Sequence, residues 1–396
     1  MPRFLYLLPS LLPSGETHQA LTLARYVRAR GAEVHFGVAA EAAESVKRKW
    51  KDEGFFVHCC PWRMYHDPFF FGRLGVILAH VRPDVIHCWE TPSASGPELA
   101  SAVQSIWNRP KNGKIIATIR RMNPYHDWDT ARPWNMAYAD FIVANNPAVR
   151  DFYQAQGVGG NWCIIPDGVS PSDFPEWTPE ELSEKRFALL DSLKLPPTAK
   201  LVGCVGPIRP EKRWKWAVWS IDSIVRIYPD VHLLFIGNDA DATHKTLIPP
   251  DGDNGGVFPQ RGRLETFARQ YERREIVHFL SWRDDVPEIL PHLTLFWAPQ
   301  SIFGSSVSLI QAMFAGVPII TTDVPGIHDL LPPGTALFAP PTGETLRIAG
   351  CSHKLLEDVS YAENQAFLAK KHALENLTAE KMGEAYWRIY HSENPV

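Results

Sequence analysis

Four cations crowd one short stretch of an otherwise acidic chain. Arg209, Lys212, Arg213 and Lys215 lie in or just after the loop Gly206-Pro207-Ile208-Arg209-Pro210-Glu211-Lys212. Lysine and arginine give charge-assisted hydrogen bonds, so such a cluster suits a diphosphate. Cations at a helix start are mildly unfavourable unless an anion is bound there; the other reading is a solvated helix start. A second stretch, Phe303–Pro318, places a small-residue loop between the apolar runs 293–298 and 317–322. Ser305 or Ser306 can cap the helix that follows, since a serine oxygen accepts a free backbone N–H. Gly316 and Pro318 end that helix. Leu309, Ile310 and Met313 make one side of it, while Ser308 and Gln311 share another. Strand, loop and helix N-terminus in this order recur as ligand sites in parallel-sheet proteins, and equally as plain core units.

The first half offers fewer reactive groups. Gly15, in Ser14-Gly15-Glu16, leaves room for a phosphate near a helix start, or is an ordinary turn glycine. His87 stands near the C-terminal end of an apolar run, at a ligand-facing position or as a packed core histidine. Arg120-Arg121 follow the run Lys114–Thr118 and can meet an anion or pair with acids such as Asp127 and Asp129. The Asp-x-Asp pairs at 127–129, 239–241 and 251–253 lie in polar loops, and no metal site is expected.

The elements that must position these groups alternate between short apolar runs and helical periodicity. Runs at 4–8, 34–38, 84–88, 114–118, 141–144 and 163–165 read as buried strands. Helices fall between them, one from a Thr17 cap to Arg30. Residues 170–198 are rich in Pro, Ser, Glu and Trp with no clear strand, and a domain boundary is expected there. The alternation then restarts, with strands at 201–205, 232–236, 276–280, 293–298, 317–322 and 337–339 and a helix at 264–273. Asn238–Gly262 reads as a long loop. Three helical segments close the chain. The expectation is an α/β protein of two Rossmann-like, doubly wound parallel-sheet domains facing a cleft. The domains are 1–175 and 176–377, with helix 378–396 packed back on the first.

With 396 residues the chain exceeds one compact domain. A net charge of −4 gives no basic field for nucleic acid. Six cysteines without metal-type spacing read as reduced thiols in a cytoplasmic protein. No apolar run approaches the roughly 20 residues of a membrane span.

Several of these segments resemble the retaining glycosyltransferases of family 4, of GT-B architecture. Gln311-Ala-Met-Phe-Ala-Gly-Val-Pro-Ile-Ile-Thr-Thr-Asp-Val-Pro-Gly326 is similar to the family's Glu-Ala-Met-Ala-x-Gly-x-Pro-Val-Val-x-Thr-x-x-Gly-Gly segment. Val205-Gly206-x-x-x-Pro210-Glu211-Lys212 is similar to its donor-phosphate loop, and Ile165-Pro166-Asp167-Gly168-Val169 to its Ile-Pro-Asn-Gly-Val turn. Leu337–Pro341 and Glu380–Tyr386 also fit. The resemblance implies a metal-independent, retaining sugar transfer from a nucleotide-diphosphate donor, with no further cofactor, to a sugar, lipid or polysaccharide acceptor. It implies that Lys212 and Arg209 stabilise the departing diphosphate. Gly206, Ser305, Ser306 and Gln311 then line the donor, and the acceptor enters near Gly15, His87 and Arg120. The lipid option allows peripheral membrane contact. The sequence departs from the family at Phe303 and Gln311, where two glutamates are usual, at Pro207 in place of an arginine, and at Arg120 in place of a histidine. With those carboxylates missing, the alternative is a catalytically impaired GT-B protein that binds nucleotides or acts as a scaffold.

Overall fold

The computed structural model describes residues 1–8, 11, 14–39, 44–60, 68–89, 103, 106–122, 139–208, 210–237, 260–270, 275–302, 304, 307–341 and 345–392. The chain divides into two units, one of Met1–Gly168 with Ala379–Val396, the other of Val169–Thr378.

The first unit is built on a seven-stranded sheet. Its strands are β1 (Arg3–Leu8), β2 (Glu33–Val38), β3 (Phe56–Cys59), β4 (Val85–Trp89), β5 (Lys114–Ile119), β6 (Phe141–Ala144) and β7 (Trp162–Ile164). They lie in the order β3-β2-β1-β4-β5-β6-β7, every pair parallel. Both faces are covered, so strands read as unbroken apolar runs instead of alternating ones. Along β1, Phe4, Tyr6 and Leu8 enter one core with residues of the helices Gly15–Ala29 and Ala379–His391. Leu5 and Leu7 enter the opposite core with the helix Pro68–Val81. Gly383 lets the last helix approach closely, because a Cβ there would stand 2.4 Å from the Tyr26 ring.

The second unit repeats the plan with six strands. These are β8 (Lys200–Val205), β9 (Val231–Ile236), β10 (Val277–Leu280), β11 (Leu295–Ala298), β12 (Ile319–Thr322) and β13 (Leu337–Ala339). Their order is β10-β9-β8-β11-β12-β13, again all parallel. In each sheet the order reverses beside the first strand of the unit, between β1 and β4 and between β8 and β11. A crevice opens at the carboxyl ends of the strands at such a point, and ligands bind there in open α/β sheets. The two Rossmann-like sheets expected from the sequence are therefore present.

Some local readings are corrected. Thr17 does not cap the first helix. Ser14 does, its Oγ accepting from the Thr17 N–H at 3.1 Å, and the helix begins at Gly15. Residues 170–198, read as holding no clear strand, contain the helix Pro179–Ser192, which opens on a reciprocal cap between Thr178 and Glu181. That spacing is a legible start signal, hidden by the stretch's Pro- and Trp-rich composition. Arg186 fastens this helix to the second unit, donating to the carbonyls of His292 and Ala199. The helix expected from Leu264 begins at Gln260. The three Asp-x-Asp pairs lie outside the described residues.

Candidate functional site

In the second unit the cationic loop leaves β8 at the switch point. Gly206 has φ +137°, a conformation that favours glycine. Its N–H donates to the Ile236 carbonyl at 3.0 Å, and its own carbonyl lies against Gly237. A Cβ on Gly237 would stand 1.9 Å from that oxygen, so the close approach of the β8 and β9 exits requires a residue without a side chain. Pro210–Lys212 makes a single 3-10 turn, and Arg213, at φ 49°, turns the chain into the helix Trp214–Val225. No side chain caps that helix and its first turn holds no acid. The Trp216 N–H donates to the Arg213 carbonyl at 2.8 Å, and the two N–H groups before it lie ahead of the helix's own ladder, which suits an anion. The loop is braced from β11: the Ser301 N–H donates to the Glu211 carbonyl at 2.9 Å.

The four cations do not act alike. Lys212 is partly exposed, and its Cε lies 3.9 Å from the place a Gly206 Cβ would occupy, so its stem folds back along the strand exit. Arg213 points into the scaffold: its Nη1 donates to the Pro341 carbonyl at 2.9 Å and its guanidinium sits 3.8 Å over the Trp216 ring. Lys215 is exposed, within 6.0 Å of the Phe267 ring. Arg209 lies outside the described residues, as do Phe303, Ser305 and Ser306. Gln311 is 6% exposed on the helix Val307–Ala315. Just after β11, Gln300 is fixed by a two-way bond with Thr322: the Gln300 N–H donates to Thr322 Oγ1, which donates to the Gln300 carbonyl.

The carboxyl edge of the first sheet carries the other group of expected residues. Gly15 is the first residue of its helix, one step past the Ser14 cap. Gln19, one turn on, grips the turn after β7 from both sides. Its Nε2 donates to the Gly168 carbonyl at 2.6 Å, and the Gly168 N–H donates back to its Oε1 at 3.0 Å. Arg120, 1% exposed at the tip of β5, forms an ion pair with Asp167, 2% exposed in the same turn. The guanidinium also lies 5.7 Å over the Trp89 ring. Gln19 and Asp167 were not singled out from the sequence. Asp167 was read as part of a turn signal, and its pairing with Arg120 spans too many residues to show as a motif.

His87 is corrected from ligand-facing to structural. It is wholly buried, and both ring nitrogens are taken, Nδ1 by the Tyr390 hydroxyl at 2.7 Å and Nε2 by Thr118 Oγ1 at 2.6 Å. Tyr6 and Tyr386 extend this network, which joins three strands to the last helix. Burial, and then the charge of Arg120, hold its pKa well below 6.5. Burial first, then neighbouring cations or a neighbouring histidine, also lowers His18 and His58 to about 4. The unfolded chain takes up protons at these histidines below about pH 6.5, whereas the folded chain does not. Stability is therefore full above that pH and is lost as pH falls toward the depressed folded values. Each such group contributes a slope of about 1.4 kcal/mol per pH unit. Urea unfolding followed from pH 7.5 downward is expected to give a level midpoint above about pH 7 and a falling one below 6.5. A midpoint that rises on acidification is the contrary result.

With this geometry in view, the two halves match two glycosyltransferase domain models. Residues 13–173 match "Glycosyltransferase Family 4", and residues 199–358 match "Glycosyl transferases group 1". Together these cover most of the chain. Similar curated proteins include the 2-deoxystreptamine glucosyltransferase of Streptomyces kanamyceticus, 26% identical over 197 residues. They also include the N-acetyl-alpha-D-glucosaminyl L-malate synthase of Bacillus anthracis, 32% identical over 169 residues. Those matches cover 49% and 42% of this chain, and span only 45% and 42% of the relatives' own lengths. In fold the chain is similar to Anabaena Alr3699/HepE, whose crystal structure holds UDP and glucose. The TM-score is 0.77 at 17% identity, over 99% of this chain and all of that one. The chain belongs to the family 4 glycosyltransferases and has their GT-B fold. No helix among the described residues is long and apolar enough to cross a membrane.

Proposed function

We propose that this protein transfers a sugar from a nucleotide-diphosphate donor to a hydroxyl-bearing acceptor, with retention and without a metal ion. The observation that carries the reading is the loop Gly206–Arg213, which brings a positive-φ glycine, the stem of Lys212 and an uncapped helix start to the switch point of the second sheet. Lys212 stabilises charge as it develops on the departing diphosphate, an electrostatic role that needs no protein base. Arg209 assists, and Gln311 holds the ribose through its amide. Ser305, Ser306 and Gly206 complete the donor side. The acceptor binds at the carboxyl edge of the first sheet, beside Gly15. Similar proteins named for glucosyl and mannosyl transfer support the reaction class.

Lys212→Ala is expected to weaken nucleoside-diphosphate binding by about 1.5–3 kcal/mol, the usual worth of a hydrogen bond to a charged group. Calorimetry on both proteins measures it, and equal affinities would remove Lys212 from the site. Gln311 in a usual carboxylate position favours a second reading, a nucleotide-binding protein without turnover. Assays of hydrolysis and transfer across common nucleotide sugars separate the two. Turnover with any donor supports transfer, and tight binding without turnover supports the second reading.

A further inference from the structure

The protein's buried histidines are mostly satisfied by other side chains. His87 has both nitrogens bonded, His35 lies between Glu33 and His58, and His232 meets His278 at 3.2 Å. His18 differs. It stands in the first turn of the helix Gly15–Ala29, and its Nε2 is buried with no hydrogen-bond partner. A buried polar atom left unbonded costs free energy, so its retention calls for a reason. The same edge of the sheet has a second such atom. Asn145 follows β6 directly and is 7% exposed; its Oδ1 accepts from Asn146 while its Nδ2 has no partner. The strand register puts Asn145 next to Arg120, because Ile119 pairs with Ala144.

Resting on the reading that this edge takes the acceptor, we propose that His18 binds it. The Nε2 of an uncharged imidazole accepts a hydrogen bond from one acceptor hydroxyl, and Asn145 Nδ2 donates to a neighbouring oxygen. Burial first, and then the charges of Arg25 and Arg120, keep His18 uncharged. The groups that bear on His18 are Arg25 on its own helix and Arg120 at the tip of β5, with Asp167 balancing Arg120. Both arginines oppose a proton on His18. Because Asp167 already holds the Arg120 guanidinium, the site suits a neutral polyhydroxyl group better than a carboxylate. The ligand class is therefore a sugar or polyol.

The test uses side-chain proton–nitrogen NMR on the full chain, with glycerol, methyl α-D-glucopyranoside and methyl α-D-mannopyranoside as probes. At least one probe is expected to move the His18 ring and Asn145 amide signals together while those of His87 stay still. Arg120→Gln is expected to raise the pH at which His18 titrates, and Arg120→Lys to leave it near the wild-type value. His18→Leu needs neither Arg120 variant to fold. It removes an unbonded polar atom, so thermal stability is kept or raised, whereas the Asn145 response to the probe weakens about tenfold, one hydrogen bond's worth. His18→Gln recovers part of that response. No movement of either signal with any of the three probes overturns the proposal, as does a large loss of stability in His18→Leu. UDP is titrated separately and read at the Gly206 and Gly237 amides. A UDP response without a sugar response sinks this inference and leaves the donor reading standing; the reverse result does the opposite.

Discussion

Asp167→Ala is expected to destabilise the first unit by about 3–5 kcal/mol, the cost of leaving a buried charge without its counterpart. Arg120 is 1% exposed and held between Asp167 and the face of Trp89. Removing the carboxylate leaves a guanidinium that cannot reach bulk water without moving the β5 tip. At typical entropies of unfolding this loss lowers the melting temperature of a unit this size by roughly 10 °C. The loss also reaches the turn that Gln19 grips through Gly168. Replacing both partners, Arg120→Met with Asp167→Leu, is expected to recover most of the stability, since a buried pair exchanged for apolar groups is often neutral or better. Differential scanning calorimetry on both single variants and the double variant closes the cycle. Additive losses would mean that the two side chains do not depend on each other.

Gly237→Ala is expected to damage the second unit through geometry alone. The added carbon would sit 1.9 Å from the Gly206 oxygen and 2.9 Å from its carbonyl carbon. Both are backbone atoms, and neither can swing aside. The Gly206 N–H is anchored on Ile236 and the Gly237 N–H on Leu280, each at 3.0 Å, so relief requires parting β8 from β9 at their exits. A cost of about 3 kcal/mol or more follows, at the upper end of what overpacking does. Diphosphate affinity should fall with it, because Gly206 and the stem of Lys212 move with the strand exit. Gly203→Ala serves as a contrast. Its new carbon would meet the Leu293 side chain, Cδ1 at 2.3 Å and Cγ at 3.2 Å, which has rotatable bonds where the Gly206 backbone has none to spare. Thermal unfolding and diphosphate calorimetry on the two variants should give a large double loss for Gly237→Ala and a small loss of stability alone for Gly203→Ala. Equal effects would mean that the β8 exit is not the constrained point.

The parts of this molecule legible in the sequence were those set by local chemistry. Apolar runs buried on both faces marked the strands, and Gly206 and Lys212 announced themselves by type and position. Burial and long-range pairing were not legible. His87 sits at the end of an apolar run whether it faces a ligand or a tyrosine from the last helix, and only the fold brings Tyr390 to it. Arg213 counted as one of four loop cations, yet its αL backbone turns it onto Trp216 and Pro341. Arg120 looked like a departure from the family pattern and Asp167 like part of a turn, and the structure makes them one ion pair. The Thr178-x-x-Glu181 cap was visible as a pattern, and its proline-rich setting disguised it.

If the Gly206–Arg213 turn holds a diphosphate, isothermal titration of the full chain with UDP, GDP and ADP gives saturable one-to-one binding of at least one of the three, weakened in both Lys212→Ala and Gly237→Ala. Absence of heat with all three, in a folded protein, would mean that the turn holds no diphosphate.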